Sequence, residues 1–498
     1  MSIDHASMLE RKKGVEMSMS RRRVMEAGAG GALAAAAAAC ARPDQAASND
    51  LAELDAVETA ARIKSGELSA KEAVDAAIER AARIDKKLNA IAFKTFDRAR
   101  EEAGATQGPW AGVPSFVKDL DDIIGLPTGF GSRGFPGYKG KAQTPLIDSF
   151  LALGVVSLGK TTTPEFGLTA TTEPASTGKT RNPWHTDYST GGSSGGAAAL
   201  VAAGVVPVAH ASDGGGSIRI PASCCGNVGL KVSRGRHPQA RPETAGPITI
   251  SVHGVQSRTV RDTATAIASL EVGRTDPSLP DIGLVTGRSE KRLRIGYFVT
   301  GPYGRPVDPE VIEATKKVAA LCEGLGHQVE EIALPYGRGI EEAFILYWAK
   351  NAAIAVGKWE EITGLKRNGL AFEKFTLGLI EHYEAHTDEF DAAVARLLAV
   401  ETEFNRSFNA ADVILSPVLA APPVKLGYLD TGLSYEEHMA RVADYAQFTG
   451  LYNIVGAPAI SLPLSMSSAG LPIGAMFGAK KGEERTLLEL AYELEEAA

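Results

Sequence analysis

The sequence predicts one large α/β domain, and three stretches carry that expectation. Two short apolar runs, 293–298 and 327–332, flank an amphipathic helix over 308–325 that stops at Gly326. That is a β–α–β unit, which points to parallel pairing. From Gly108 to Gly235, short apolar runs alternate with clusters of Gly, Ser and Thr, the pattern of strands joined by loops that carry a site. Residues 341–408 read as largely helical. The 498 residues would allow roughly two to three average domains, but no internal repeat and no long linker after about residue 49 divides them.

In chain order, Ser20-Arg21-Arg22-Arg23-Val24-Met25 comes first, followed by an Ala/Gly run over 27–41. This resembles a twin-arginine export signal spanning 1–41, with a short linker at 42–50, and implies an exported, periplasmic protein. The run is 15 residues of mostly alanine, too short and too mild to span a bilayer, so no membrane span is expected. An exposed Ala-rich helix is the ordinary alternative. Met17 offers a second start, and the leader can end by cleavage after Ala41 or by lipidation of Cys40 in a weak lipobox. Residues 51–85 read as packing helices. Ser69 and Glu72 form a capping box, and Val74, Ala77, Ile78 and Ala81 form an apolar stripe. Residues 413–417 read as a buried strand closed by Pro417, and a last helix starts at Glu483.

Composition narrows the functional classes. Sixty acidic against 52 basic residues give a net charge of −8, mixed along the chain with no basic run past its first quarter, which excludes a nucleic-acid partner. Cys40, Cys224, Cys225 and Cys322 lack zinc-ligand spacing, and adjacent cysteines have the wrong geometry to bridge. A disulfide scaffold is excluded; no metal and no cofactor are expected. Gly154 to Thr161 satisfies the Walker A pattern letter for letter. Its Val-Val-Ser-Leu interior reads as a strand, however, and Pro164 disfavours the helix a phosphate cradle requires.

Three segments carry chemistry: Gly191-Gly192-Ser193-Ser194-Gly195-Gly196, Asp213-Gly214-Gly215-Gly216-Ser217-Ile218-Arg219, and Pro114-Ser115-Phe116-Val117-Lys118-Asp119. Each alone has an ordinary reading, as a flexible turn or a solvated ion pair. Together they fit acyl transfer. A serine hydroxyl is a weak nucleophile that needs a base, and the oxyanion needs converging backbone N–H groups, which the glycines can offer. His185, His210 and His237 sit in no recognisable Ser/His/Asp order. Lysine is then the economical base, provided it is neutral. At its reference pKa only about one lysine in 2,500 is neutral at pH 7, so Lys118 must be buried, with Asp119, Asp121 and Asp122 turned away from it.

These segments, with GLKVSRGR at 229–236, NIVGAPAISLP at 453–463 and GLPIG at 470–474, resemble the amidase signature family over essentially all of residues 51–498. The resemblance implies a single large domain with a central mixed, mostly parallel twisted sheet covered by helices on both faces. It implies a catalytic core at about 108–300 and 410–498 and a variable helical substrate region at about 340–410. It implies a Ser-cisSer-Lys triad on Ser217, Ser193 and Lys118, with a cis Gly192–Ser193 peptide. The backbone N–H groups of Gly214, Gly215, Gly216 and Ser217 would hold the oxyanion, and Ser194, Asp213 and Arg219 would support the glycine loop. The implied activity is hydrolysis of a carboxamide C–N bond through a seryl acyl-enzyme.

Within the family, residues 125–133, 171–174 and 210–216 look like the 6-aminohexanoate-cyclic-dimer hydrolase group. That suggests a cyclic or linear amide of this oligomer type. A broad-specificity linear, aryl or peptide amide hydrolase is the alternative; an amidotransferase subunit and a non-catalytic exported binding protein rank below it. Thr172, Tyr347, Trp348, Phe448 and Tyr452 are candidates for the substrate pocket, with core packing as the other reading of the aromatics. The expected partner is a small-molecule amide, and the protein is expected to be a monomer or homodimer.

Overall fold

A computed structural model describes residues 51–498, apart from 239, 241–245 and 334–338. The expected leader and linker, with Met17 and Cys40, lie outside the described residues. Helices α1 (Ala56–Ser65) and α2 (Ala70–Leu88) come first. The capping box before α2 is formed: Glu72 N–H donates to Ser69 Oγ at 3.1 Å, and Ser69 N–H donates to the Glu72 carboxylate at 2.8 Å. Two donors that the first turn leaves open are thereby satisfied. The expected stripe Val74, Ala77, Ile78 and Ala81 is buried.

The chain continues through β1 (Ile91–Lys94), α3 (Phe96–Glu102), β2 (Pro114–Lys118), α4 (Pro145–Leu151) and β3 (Val156–Thr161). Then come α5 (Gly195–Ala202), β4 (Val208–Asp213), α6 (Arg219–Cys225), β5 (Gly229–Lys231), β6 (Val252–Ser257) and α7 (Val260–Leu270). The β–α–β unit is β7 (Arg294–Tyr297), α8 (Pro309–Gly324) and β8 (Gln328–Glu331). Three helices follow, α9 (Ile340–Thr363), α10 (Lys374–Ala385) and α11 (Phe390–Ser407). The chain closes with β9 (Val413–Pro417), α12 (Tyr435–Tyr445), α13 (Gly450–Val455), β10 (Ala459–Met466), β11 (Pro472–Gly478) and α14 (Glu484–Ala497).

The strands form ladders β1–β3–β2, β4–β6 and β5–β10–β11–β9–β7–β8. They meet edge to edge: Ser115 Oγ of β2 donates to Val208 O of β4 at 2.9 Å, and a Val228–Ser257 bridge links β6 to the start of β5. The sheet is mixed, as expected, but its parallel majority needs correction. Among the described strands, β2–β3 and β8–β7–β9 pair in parallel, while β1–β3, β4–β6 and β5–β10–β11–β9 run antiparallel. The reason is plain at β10 and β11, which a short turn joins as a hairpin; parallel neighbours need a crossover such as α8.

Helices cover both faces. Along β9, Ile414 packs in one cluster with Leu346 and Tyr347 of α9 and Leu397 of α11. Val413 and Leu415 pack in another with Ile267 of α7, Val318 of α8 and Leu488 of α14. That alternation is the mark of a strand buried on both sides. The Walker-like segment is β3, with Lys160 fully buried and bonded to Asp121 O and Thr128 Oγ1. Cys224, Cys225 and Cys322 are free, buried thiols.

Arg236, after β5, is fully buried between Glu271 (2.6 Å) and Glu484 (3.0 Å). Glu484 also accepts the Ser233 N–H at 2.7 Å, so this pair pins the start of α14 to the end of the sheet. Replacing one partner of a buried ion pair leaves an uncompensated charge. Arg236→Leu is therefore expected to cost about 3–5 kcal/mol, measured as a fall in the urea midpoint of the purified chain.

Candidate active site

β2 is buried at every position and ends in Lys118, which has no exposed surface. The burial that a neutral amine requires is thus present. Lys118 Nζ lies 2.7 Å from Ser193 Oγ, 3.0 Å from Ser212 Oγ and 3.4 Å from Ser212 O. Asp119 and Asp122 bind elsewhere. The Asp119 carboxylate accepts the Gly129 N–H at 3.0–3.1 Å, lies 3.8 Å from Lys160 Nζ and is pushed up to about 7 by burial. Asp122 accepts the Tyr138 hydroxyl at 2.8 Å.

Ser193 follows a cis Gly192–Ser193 peptide, just before α5. A Cβ on Gly192 would overlap the Thr171 carbonyl, so glycine alone fits this close approach. Thr172 Oγ1 donates to Gly191 O at 2.9 Å and accepts the Gly195 N–H at 3.2 Å, clamping the loop from both sides. Ser194 Oγ donates to Ser212 O at 3.2 Å and accepts the Ser212 N–H at 3.3 Å. Ser194 N–H donates to Ser217 O at 3.3 Å. The serine segments are therefore stitched to one another through Ser194.

Ser217 stands two residues before α6 and is 8% exposed. Its loop wraps the carboxylate of Asp213, the last residue of β4. Asp213 accepts from Gly216 N (2.7 Å), Ile218 N (3.1 Å), Arg219 Nε and Nη2 (both 3.0 Å) and Asn453 Nδ2 (2.9 Å). Burial alone would push this carboxyl up, but the Arg219 guanidinium and these hydrogen bonds outweigh it and hold the group well below the carboxylate range. Arg219 also donates to Thr449 O (2.9 Å) and Asn453 Oδ1 (2.7 Å). The oxyanion donors expected from sequence need one correction. The Gly216 N–H is engaged by Asp213, whereas among the described residues the N–H groups of Gly214, Gly215 and Ser217 have no protein acceptor.

The Lys118–Ser193 link is formed; a hydrogen bond from Ser217 Oγ to Ser193 is not, among the described residues. Among the described residues, no histidine takes the base position. His210 Nδ1 accepts the Lys118 backbone N–H at 3.4 Å, and His210 Nε2 lies 3.1 Å from His253 Nδ1. Asp121, His210 and His253 are a buried group whose donor atoms lie within 4.8 Å of one another. With Nδ1 taking the backbone N–H, the His210 proton sits on Nε2 and is given to His253. In this arrangement the facing nitrogens of the two rings are hydrogen-bonded to each other.

Beside Ser217 lies a cavity of about 160 Å³, lined by Gly192, Gly215 and Ser217 and by α9, α12 and α13. Of the five expected pocket residues, Trp348 lines it and four do not. Thr172 is the loop clamp described above. Tyr347 is fully buried, donates to Ile248 O at 2.6 Å and stacks on Phe390. Phe448 packs against Phe298, and Tyr452 lies under the Arg219 guanidinium. Sequence reasoning missed Phe344, Ile345, Met439 and Val442 on the wall. It also missed Ser212 on Lys118 and Asn453 and Thr449 around the Asp213 loop. The helical spacing held a signal: Glu341, Phe344, Ile345 and Trp348 recur at i, i+3, i+4 and i+7, as do Met439, Val442, Ala443 and Ala446.

A mixed α/β fold that sets a buried lysine against a serine beside an apolar cavity is the framework of a hydrolase acting on amides. Comparison with known proteins agrees. The family model described as Amidase matches residues 72–488. The putative amidase AmiC of Mycobacterium tuberculosis (strain ATCC 25618 / H37Rv) is 42% identical over 451 residues, covering 90% of this chain and 95% of that protein. The 6-aminohexanoate-cyclic-dimer hydrolase of Paenarthrobacter ureafaciens is 34% identical over 469 residues, covering 89% and 94%. A solved structure of 6-aminohexanoate cyclic dimer hydrolase complexed with substrate matches with a TM-score of 0.82 at 32% identity, covering 90% of this chain and 97% of that one. The chain belongs to the amidase family and is an enzyme acting on amide C–N bonds.

Because the Asp213 carboxyl is held below its unfolded value, the stability it contributes is complete above about pH 4 and is lost as pH falls through its folded value. Asp213→Asn is expected to cost about 3–5 kcal/mol at pH 7 and to flatten the acid limb of the stability profile. Urea titrations at neutral and acid pH, run on both proteins, check this.

Proposed function

We propose that the enzyme hydrolyses its amide through a seryl acyl-enzyme, with Ser217 as nucleophile, Ser193 as proton carrier and Lys118 as base. The observation that supports this is the buried Lys118 amine 2.7 Å from Ser193 Oγ, on the serine segment stitched to Ser217. Neutral Lys118 takes the Ser193 proton while Ser193 takes that of Ser217, whose hydroxyl turns to Ser193 as the amide enters. Ser217 Oγ attacks the carbonyl carbon, and the N–H groups of Gly214, Gly215 and Ser217 receive the oxyanion. The proton returns through Ser193 to the leaving nitrogen, the C–N bond breaks, and water releases the acyl group.

The relatives named 6-aminohexanoate-cyclic-dimer hydrolase support an amide of that oligomer type as substrate. A broader amide range is the second reading, favoured by the higher identity to a relative named only as a putative amidase. The Arg21-Arg22-Arg23 segment and the alanine run support export to the periplasm. Mass measurement of the mature N-terminus would separate cleavage after Ala41 from lipidation at Cys40.

Ser217→Ala is expected to lower kcat by about 10⁴-fold or more, with loss of fluorophosphonate labelling. Lys118→Arg is expected to be as inactive as Lys118→Ala, because a guanidinium is never neutral in a protein. Hydrolysis of the cyclic dimer, its linear dimer and a simple anilide, followed for wild type and variants, checks both. Equal activity in Ser217→Ala would remove it as the nucleophile.

A further inference from the structure

We propose that the cavity beside Ser217 takes amides whose acyl group is uncharged and apolar, and rejects acyl groups that carry an ammonium or a carboxylate. This rests on Ser217 being the nucleophile and narrows what it acts on. Most of the wall is hydrocarbon: Phe344, Ile345 and Trp348 of α9, Met439 and Val442 of α12, and Leu451 of α13.

Apart from Ser217, the polar side chains described on the wall turn their donors and charges to protein partners. Thr169 gives its hydroxyl, at 2.7 Å, to Nε2 of His438 behind the wall, whose Nδ1 faces the Asp430 carbonyl at 3.2 Å and so carries the ring proton. Burial pushes His438 down to about 4, which keeps it neutral in that role. The Trp348 indole N–H donates to Leu168 O at 3.0 Å. Gln447 Nε2 donates to Pro306 O (3.2 Å) and Asp444 O (2.9 Å); its Oε1 has no hydrogen-bond partner among the described residues, but it is buried beside Gly301 with no accessible surface. Glu341 is the one ionisable side chain among the described residues of the wall, and both its oxygens are held by the two terminal nitrogens of Arg305.

Among the described side chains, what remains for a ligand's polar atoms is the Ser217 hydroxyl, with the free N–H groups of its loop beside it. These serve the scissile amide and nothing else. A charge elsewhere on the acyl group would enter without a counter-charge or a hydrogen-bond partner, and an unpaired charge is among the costliest groups to desolvate. Apolar surface, by contrast, gains from leaving water on every side of the wall.

The test is protection of Ser217 from a small fluorophosphonate in the full-length enzyme, read by intact mass, with hexanamide, 6-aminohexanamide or adipic acid monoamide as competitor. These share a chain length and differ only in terminal charge. Hexanamide is expected to halve the labelling rate at a concentration at least about tenfold below either charged amide, a ratio well within what one unpaired polar group produces. Met439→Glu, which adds a carboxylate to the wall, is expected to move the ratio toward 6-aminohexanamide, and its residual labelling reports that the variant is folded. Protection by charged and uncharged amides within tenfold of each other, or by none of them, overturns the inference and leaves Ser217 as nucleophile. If the fluorophosphonate never labels Ser217 in the absence of competitor, the nucleophile itself is wrong and the substrate class falls with it.

Discussion

The structure depends on one buried carboxylate. Asp213 ends β4, and its two oxygens gather the N–H groups of Gly216 and Ile218, the Arg219 guanidinium and the Asn453 amide. A further hold on the three glycines after it is the Thr449 hydroxyl, which donates to Gly215 O at 2.5 Å. At Gly216 the backbone is at φ +136°, a region open mainly to glycine, and a Cβ there would overlap Thr449 Oγ1. A buried ion pair of this kind adds little net stability over an apolar substitute, yet removing one partner is costly. Its role here is geometric: it fixes where the loop points, and the rest of the site is assembled around that direction.

Two buried lysines show how neighbours decide chemistry. Lys160 Nζ reaches Asp121 O, Thr128 Oγ1 and the edge of the Asp119 carboxylate. Burial pulls it down, and the carboxylates of Asp119, Asp121 and Asp122 oppose that pull without cancelling it. Lys118, one strand away, meets the hydroxyls of Ser193 and Ser212. The first environment fixes its amine in a structural role; the second suits an amine that exchanges protons with alcohols. Residue type alone would not have separated them, since the Lys160 segment carries the more familiar letter pattern.

Much of the site was legible because three segments that are each ordinary alone fit acyl transfer together and resemble the motifs of the amidase signature family. The cap at Ser69, the β7–α8–β8 unit and the strand at β9 followed from periodicity and turn residues. What escaped were directions. Tyr347 and Trp348 are adjacent on α9, but successive helical residues point about 100° apart, so one enters the core and the other the cavity. Strand polarity escaped too, because the antiparallel ladder joins β5, β9, β10 and β11 across a long interval of sequence, and local pattern does not record which strand arrives beside which. The Gly216 donor escaped because an N–H has no letter of its own.

The chemistry and the cavity wall come from different parts of the chain. Lys118, Ser193, Ser212 and Ser217 lie on or beside β2 and β4, while the wall is largely α9 and α12. Substitutions on those two helices can reshape what enters without touching the Asp213 cage, so substrate range is free to drift while the reaction is kept. The exception is α13. Thr449 at its start and Asn453 hold the glycine loop, while Leu451 and Ile454 line the cavity. Selection for a new substrate and selection for a working nucleophile therefore act on the same six-residue helix, and that helix should be the slowest part of the wall to evolve.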